Sequence, residues 1–243
     1  MTLLFHASDL HFGREDGAAL AWFVSEAERA RPDAIVITGD LTMRARHSEF
    51  RAACRWLERL PAPVSVEVGN HDLPYFDLLA RFFRPYKRYD QLERMIERPL
   101  ALRHVSIVPL RTTARAQWRL NWSKGIVTAD RLAETLDVLA GAQTPHRLIA
   151  CHHPLIEAGT SGTAATRGGR RALRALATRG ATAVLSGHVH DPFDHVEMID
   201  GRAIRLIGAG TLSERLRDSR PGYNAIHIDP VTQAMTVDPV TLS

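Results

Sequence analysis

The stretch DAIVITGDLT, residues 33–42, joins a run of apolar and β-branched residues to a glycine and an acid. Asp33 to Thr38 predicts a strand, and its continuous apolar character indicates burial on both faces, as in a parallel sheet. Gly39 permits a sharp turn after this strand. We therefore predict a buried parallel strand that brings the carboxylate of Asp40 to the edge of its sheet.

The same arrangement recurs on both sides of this stretch. Upstream, a strand predicted over Leu3 to Ala7 is followed by Asp9 and His11 in SDLHFG. Downstream, a strand predicted over Val64 to Val68 is followed by Asn70 in VGNHD. Because the carboxyl ends of parallel strands face the same crevice, we expect these polar side chains to lie close together.

Helices separate the strands. A helix is predicted over Gly17 to Arg31, where Pro32 ends it, and another over Ser48 to Leu60, with Ser48 as its cap. Residues 73–99 predict helical excursions over the edge of the sheet. The α/β alternation then continues through strand Val105 to Leu110, helix Ala129 to Ala140, strand Leu148 to Cys151, helix Gly169 to Arg179 and strand Ala183 to Ser186.

The last quarter of the chain has a different pattern, because its strands follow one another without helices. A turn at Asp200 and Gly201 is typical of a hairpin. These strands predict a second, antiparallel sheet packed on the first, within a single α/β domain over residues 1–243. They are Phe193 to Ile199, Ala203 to Ile207, Tyr223 to Ile228 and Ala234 to Val237.

Ligand-type residues also follow two strands of the second half. His152 follows LIAC, and His188 and His190 follow AVLSG in GHVH. Desolvating so many carboxylates and imidazoles together without a cation would cost several kcal/mol, roughly, for each unpaired charge. The pattern therefore predicts bound metal. Isolated histidines at positions 6, 47, 104, 146, 195 and 227 are interpreted as ordinary core or surface residues.

The types of ligand restrict which metal ions are expected. Carboxylate, imidazole and amide oxygen without thiolate suit Mn²⁺, Fe²⁺/Fe³⁺ or Zn²⁺, whereas Ca²⁺ prefers more oxygen ligands. The number of ligands implies two divalent or trivalent cations, with Asp40 as the bridging carboxylate. Such a pair can share a hydroxide that attacks phosphorus in line.

The ordered set Asp9-x-His11, Gly39-Asp40, Gly69-Asn70-His71-Asp72, His152 and Gly187-His188-Val189-His190 resembles the calcineurin-like metallophosphoesterases. The resemblance implies a two-sheet mixed β-sandwich flanked by helices. It also implies that one metal binds Asp9, His11, Asp40 and His190, and that the other binds Asp40, Asn70, His152 and His188.

In this family scheme His71 contacts the phosphoryl group or protonates the leaving oxygen. Asp72 is expected to orient the His71 imidazole, with a simple turn residue as the alternative. His153 is the alternative metal ligand to His152 if the strand register differs by one residue.

Two further features are candidates for substrate binding. The loop from Glu157 to Arg171 is polar and glycine-rich, so it is either a substrate lid or a solvated connection. Arg14, Arg44 and Arg46 follow ligand-bearing turns and are candidate phosphate-binding residues.

Composition predicts a cytoplasmic chain. Cys54 and Cys151 form no CxxC pair, the first residues lack a signal peptide, and no apolar run is long enough to span a membrane. The formal net charge of +4 suits an anionic substrate without requiring nucleic acid.

Within the family, TGDLTMRARHSEF and GNHD resemble bacterial cyclic-nucleotide and glycerophosphodiester phosphodiesterases. A small phosphate diester is therefore the favoured substrate. The alternatives are a DNA exonuclease or endonuclease, a phosphomonoesterase, a nucleotide pyrophosphatase, and a non-enzymatic scaffold that binds phosphorylated ligands in a metal-dependent way.

Overall fold

The computed structural model describes residues 1–74, 77–96, 100, 102–114, 123–157, 159–163 and 166–243. Its strands are β1 (Thr2–Ala7), β2 (Ala34–Ile37), β3 (Val64–Val66), β4 (Val105–Pro109), β5 (His146–Ala150), β6 (Ala183–Ser186), β7 (Phe193–Ile199), β8 (Arg202–Gly208), β9 (Gly222–Ile228) and β10 (Met235–Thr241). Its α-helices are α1 (Gly17–Ala30), α2 (His47–Leu57), α3 (Leu78–Phe83), α4 (Lys87–Ile96), α5 (Ala129–Gly141) and α6 (Gly169–Thr178). A 3₁₀ turn covers Asn70–Asp72.

The strands form two five-stranded mixed sheets. Sheet one has the order β10-β9-β1-β2-β3, in which β1, β2 and β3 are parallel and β9 and β10 are antiparallel to their neighbours. Sheet two has the order β4-β5-β6-β8-β7, in which only the β7–β8 pair is antiparallel. This architecture confirms the predicted α/β class and the mixed two-sheet sandwich.

Three apolar cores hold the layers together. One lies between sheet one and helices α1, α2 and α4, where Phe23 and Trp56 pack. A second lies between sheet two and helices α5 and α6. The third joins the inner faces of the two sheets, with Val36 of sheet one and Leu148 and Leu185 of sheet two completely buried. The order of layers is therefore helices, sheet, sheet, helices.

The prediction that the last four strands form a separate antiparallel sheet is wrong. Strands β7 and β8 extend sheet two, whereas β9 and β10 return to sheet one, where β9 pairs with β1. Strand β9 pairs along the edge of β1 that does not face β2, and the burial of Ile226 and Ile228 between the sheets stabilises this return to sheet one. The β7–β8 hairpin itself is confirmed, and Asp200 and Gly201 both have positive φ in its turn, at 49° and 77°.

Smaller features also correct or confirm the prediction. Helix α2 begins at His47 with Arg46 in the cap position, so Ser48 is not the cap. Instead the carboxylate of Glu49 accepts hydrogen bonds from the backbone of Arg44 and Arg46. Cys54 and Cys151 are unpaired and buried. Among the helices in the described part of the chain, none is both long enough and apolar enough to cross a bilayer.

Candidate metal centre

The seven predicted metal ligands lie in loops that leave the carboxyl ends of five strands. In sheet one, Asp9 and His11 follow β1, Asp40 follows β2 and Asn70 follows β3. In sheet two, His152 follows β5, and His188 and His190 follow β6. Both sheets thus contribute to one cluster at their shared edge, which we call the metal centre.

The loops of the metal centre are bonded to one another through the backbone. The amide of Asp9 donates to the Gly39 carbonyl at 3.0 Å, and the amide of His11 donates to the Asp40 carbonyl at 3.0 Å. Gly39 has a φ of 95°, as the sharp turn required. The metal centre is therefore preorganised by main-chain contacts.

One group of donors forms around Asp9. Its Oδ1 lies 3.1 Å from His190 Nε2 and 3.5 Å from His11 Nε2, and these two imidazole nitrogens are 3.3 Å apart. The three side chains are buried. Their ligand atoms all point at the same small volume.

A second group forms around Asp40. Its Oδ2 lies 3.3 Å from His152 Nε2 and 3.9 Å from His11 Nε2, so Asp40 touches ligands from both groups. The same His152 nitrogen is 3.2 Å from Asn70 Oδ1. The ring of His188 lies beside that of His152, with centroids 5.2 Å apart.

Most of these separations fit a metal site. Two ligand atoms about 2.1 Å from a shared cation lie about 3.0 to 3.4 Å apart at octahedral or tetrahedral angles. Asp9 Oδ1 and His11 Nδ1 are also buried without a hydrogen-bond partner among the described residues. A buried carboxylate oxygen without a donor is costly, and a cation removes that cost.

Backbone carbonyls fix the tautomers of two of these histidines. His152 Nδ1 donates to the Thr38 carbonyl at 2.7 Å, and His190 Nδ1 donates to the Arg215 carbonyl at 2.5 Å. Since a carbonyl only accepts, each neutral ring has its lone pair at Nε2, directed at the acidic groups. This is the arrangement that orients imidazole ligands around metals.

The electrostatics favour bound positive charge. Burial alone would lower the pKa of His152 and His190, but the carboxylates of Asp40 and Asp9 outweigh it, so the pKa of His152 rises to about 9 and that of His190 also rises. Burial and the charge of His152 lower the pKa of His188 to about 3. A cation that binds here displaces protons from His152 and His190.

His153, the alternative ligand to His152, has both ring nitrogens engaged elsewhere. Nδ1 contacts Thr112 Oγ1 at 2.9 Å, and Nε2 contacts the Ser123 carbonyl at 2.8 Å. Its ring still lies 4.5 Å from that of His188, centroid to centroid. His152, by contrast, presents Nε2 to Asp40 and Asn70.

His71 lies at the metal centre, but its ring is not oriented by Asp72 as we expected. His71 Nδ1 donates to the Met43 carbonyl at 2.7 Å. Asp72 is buried and instead accepts from the amides of Leu41, Thr42 and Gly69, at 3.2, 2.8 and 2.9 Å. Its carboxylate fastens the loop after β2 to the loop after β3, and both of its oxygens are engaged in these contacts.

A polar pocket of about 310 Å³ opens above the metal centre. Ser161, Gly162 and Thr163 of the loop from Glu157 to Arg171 line it, so this part of the loop adjoins the site. Residues 158, 164 and 165 lie outside the described residues. The predicted phosphate-binding residues Arg14, Arg44 and Arg46 do not line the pocket. The cations that do are Lys124, Arg215 and Arg217.

Sequence reasoning missed these three cations. Arg215 Nη1 lies 3.1 Å from His71 Nε2 and 3.3 Å from His11 Nε2. No motif marks Arg215, because it lies 25 residues beyond His190 and enters the site through the loop between β8 and β9. The local sequence LSERLRDSR is rich in arginine and serine, which indicates a polar, exposed loop but not a role in binding.

Comparison with known families agrees with this geometry. Residues 3–192 match the model of the calcineurin-like phosphoesterases. The chain belongs to this family. This family consists of phosphate-ester hydrolases with a dinuclear metal site, and the Asp and His clusters described above fit such a site.

Among relatives of this calcineurin-like phosphoesterase is the glycerophosphodiester phosphodiesterase GpdQ of Enterobacter lignolyticus (strain SCF1). The two are 36% identical over 81 residues, which cover 29% of each chain. The match thus spans less than a third of that relative.

Two solved structures share the fold at low identity. A dimetal phosphatase from Danio rerio has a TM-score of 0.68 at 14% identity, covering 98% of this chain and 95% of that one. The purple acid phosphatase PPD1 from yellow lupin, Lupinus luteus, has a TM-score of 0.69 at 12% identity, covering 93% of this chain and 49% of that one.

Proposed function

We propose that this protein is a two-metal phosphodiesterase that hydrolyses a small phosphate diester. The observation that carries the proposal is the convergence of buried carboxylate, amide and imidazole ligands from two sheets beneath a polar, cationic pocket. The preference for a diester is supported by the local similarity to a glycerophosphodiester phosphodiesterase.

The ligands divide into two sets that share Asp40. Asp9, His11, Asp40 and His190 would hold one cation, and Asp40, Asn70, His152 and His188 the other. Histidine, carboxylate and amide ligands favour Mn²⁺ or Fe²⁺/Fe³⁺, with Zn²⁺ as the alternative. When bound, such a pair lowers the pKa of water and neutralises charge on the phosphoryl oxygens.

The chain itself supplies a proton-transfer group in His71. Because Nδ1 is held by the Met43 carbonyl, any proton that His71 gives or takes passes through Nε2. That nitrogen faces the pocket, beside Arg215. We propose that His71 stabilises the phosphoryl group or protonates the leaving oxygen from this position.

Substrate class is tested with purified protein of known metal content. We expect hydrolysis of aryl phosphate diesters and of glycerophosphodiesters or cyclic nucleotides, faster than that of monoesters or single-stranded DNA. Activity should vanish in a chelator and return with Mn²⁺. A faster reaction with monoesters or DNA would contradict the diester assignment.

Substitutions separate the metal ligands from His71. Asp40→Ala and Asn70→Ala should abolish turnover and lower the bound metal, because each removes a ligand. His71→Ala should retain the metal and lower kcat by roughly 10² to 10⁴-fold, the usual contribution of a general acid. Metal analysis alongside kcat checks this, and loss of metal in His71→Ala would refute the assignment.

A further inference from the structure

The pocket above the metal centre is lined by more cationic than anionic side chains. Among its described lining residues Asp40 is the one carboxylate, and it belongs to the metal centre. Lys124, Arg215 and Arg217 line the remaining walls together with hydroxyl and amide groups. The part of the pocket beyond the metal ligands is therefore strongly cationic and suits a ligand with more than one negative group.

Arg215 lies in a loop, residues 209–221, that we call the arginine loop, and this loop is anchored on the metal centre. The carbonyl of Arg215 accepts from His190 Nδ1 at 2.5 Å. Thr211 Oγ1 donates to the Asp9 carbonyl at 2.7 Å, and Ser213 Oγ accepts from the Arg215 amide at 3.3 Å. The backbone that carries the guanidinium is thus positioned by the metal-ligand loops.

Only part of the Arg215 guanidinium is engaged by the described residues. Its Nη1 contacts His71 and His11, and its Nε and Nη2 have no partner in the described part of the chain. The side chain is half-buried, so these donors are partly shielded from water. A fork of N–H donors beside a proton-transfer histidine matches the oxygens of a phosphoryl group.

Arg217 lines the same pocket two residues further along the arginine loop and is more exposed. It makes no hydrogen bond or ion pair with any residue that the structure describes. Lys124 lines the pocket as well, and its Nζ donates to the Thr163 carbonyl at 2.8 Å. Arg217 and Lys124 therefore add two further positive charges to the pocket, besides the guanidinium at His71.

The loops that carry these cations are tied together. Asp191 accepts from Ser161 Oγ at 2.8 Å and from the Asp218 amide at 3.2 Å, so it joins the loop from Glu157 to Arg171 to the arginine loop. The Lys124–Thr163 contact joins the segment at residue 124 to the same loop. These contacts hold together the loop segments from which the cations enter the pocket.

We propose that the pocket recognises two anionic groups on one substrate. Arg215 binds the phosphoryl group under attack, and Arg217 with Lys124 binds a second anionic group, a carboxylate or a phosphate, carried on an ester arm. The inference rests on the proposed function and extends it from a small phosphate diester to one with an acidic substituent.

Two phosphonates that the enzyme cannot hydrolyse test the proposal by calorimetry on metal-loaded protein. Ethylphosphonate offers the first anionic group alone, and 2-carboxyethylphosphonate adds a carboxylate. We expect the wild type to bind 2-carboxyethylphosphonate about 10-fold more tightly, the usual strength of a charge-assisted hydrogen bond. Arg217→Ala should reduce this preference, with Lys124 left as the remaining cation, and should affect the affinity for ethylphosphonate much less.

Arg215→Ala should weaken the binding of both phosphonates by about 10-fold or more, since it removes a contact to the shared group. Arg215→Lys keeps the charge without the planar fork, and we expect an intermediate loss. Thermal unfolding and metal analysis establish that these variants fold and bind metal.

Arg220→Ala is the matched control, because Arg220 lies in the same loop but does not line the pocket. Its affinities for both phosphonates should equal those of the wild type.

Equal binding of the two phosphonates by the wild type overturns the second subsite, as does a preference that is undiminished in Arg217→Ala. Unchanged affinities in Arg215→Ala overturn its phosphoryl contact. Turnover is measured separately with ethyl and 2-carboxyethyl 4-nitrophenyl phosphate. KM should be lower for the 2-carboxyethyl ester, and Arg217→Ala should reduce this difference. If the metal-loaded wild type prefers 2-carboxyethylphosphonate but hydrolyses neither ester, the result contradicts the proposed function and leaves the second subsite supported.

Discussion

Ligand residues of the metal centre adopt a backbone conformation that most residues avoid. Asp9, His11, Asp40, His188 and His190 have φ between 47° and 71°. Left-handed backbone at such residues costs of order 1–3 kcal/mol each and persists only where the surroundings enforce it. Here the inter-loop hydrogen bonds enforce it, so part of the folding free energy positions the ligands.

The close packing of these loops makes Gly69 a sensitive position. A Cβ at Gly69 would lie 2.0 Å from Asp40 Oδ1 and 2.2 Å from the Asp40 amide nitrogen. Any larger residue must therefore displace the carboxylate that we propose as the bridge. The glycine is required by the approach of Asp40 and not by its own φ.

We predict that Gly69→Ala lowers the free energy of unfolding by about 1–3 kcal/mol, the usual cost of overpacking, and lowers the metal content. Denaturant unfolding and metal analysis measure the two effects. Gly141→Ala is the control, because a Cβ there meets nothing within 4 Å. Normal metal loading in Gly69→Ala would show that Asp40 tolerates displacement.

At the scale of the elements, the loops after β2 and β3 are joined by Asp72. Its carboxylate also accepts from Thr42 Oγ1 at 2.9 Å, in addition to the three amides. The function of Asp72 in this structure is to satisfy buried backbone donors of two loops at once.

Asp72→Ala should lower the free energy of unfolding by about 2–5 kcal/mol, because several buried N–H groups lose their acceptor. Thermal and denaturant unfolding test this expectation. A variant with wild-type stability but a strongly reduced kcat would instead support a direct role for Asp72 at His71.

A second element-scale consequence concerns the residue that follows β3. Glu67 is 6% exposed, and burial together with the charge of Glu93 raises its pKa to about 8. In an unfolded chain a glutamate has a pKa of about 4.3. Between these values the folded state binds more protons than the unfolded state, so stability falls as the pH rises through this window.

Glu67→Gln should therefore be more stable than the wild type at pH 8 to 9. The difference in the free energy of unfolding should grow by up to about 1.4 kcal/mol for each pH unit above the unfolded pKa of glutamate, until the folded pKa is reached. The advantage should shrink towards pH 5. Chemical denaturation across this pH range measures it, with the exposed Glu28→Gln on α1 as the control. An advantage that does not change with pH would mean that Glu67 stays unprotonated in the folded protein.

At the scale of the whole molecule, the candidate metal centre lies where the two sheets meet, and each sheet contributes candidate ligands. Leu4 and Ile207, from the two sheets, lie in the apolar core between them. Cations held by ligands from both sheets would add a further cross-link at the edge of this core. Metal binding and the stability of the fold are therefore expected to be coupled.

Addition of Mn²⁺ to metal-free protein should raise the midpoint of thermal unfolding. A free metal concentration 100 times the dissociation constant adds about 2.7 kcal/mol for each site, which corresponds to roughly 5–11 °C in a chain of this size. The shift should saturate with two equivalents bound. His188→Ala, which removes a ligand of one site, should bind one equivalent less; an unchanged stoichiometry would contradict the assignment of His188.

The sequence by itself determined the α/β class, most of the strands and helices, and the polar clusters at the ends of the strands. These are local properties: apolar runs predict strands, glycines predict turns, and polar residues directly after a strand must lie at its carboxyl end. For that reason the positions of Asp9, Asp40 and His188 followed from neighbouring residues alone.

Only the tertiary structure decided which sheet each late strand joins, what Asp72 binds and which cations line the pocket. Strand β9 pairs with β1 across more than 200 residues of chain, and Arg215 reaches His11 across 204. Such contacts depend on packing between distant segments, since the periodicity of a strand does not specify its partner. The pocket is formed by loops that meet only when both sheets have assembled, so its arginines have no signature in the sequence.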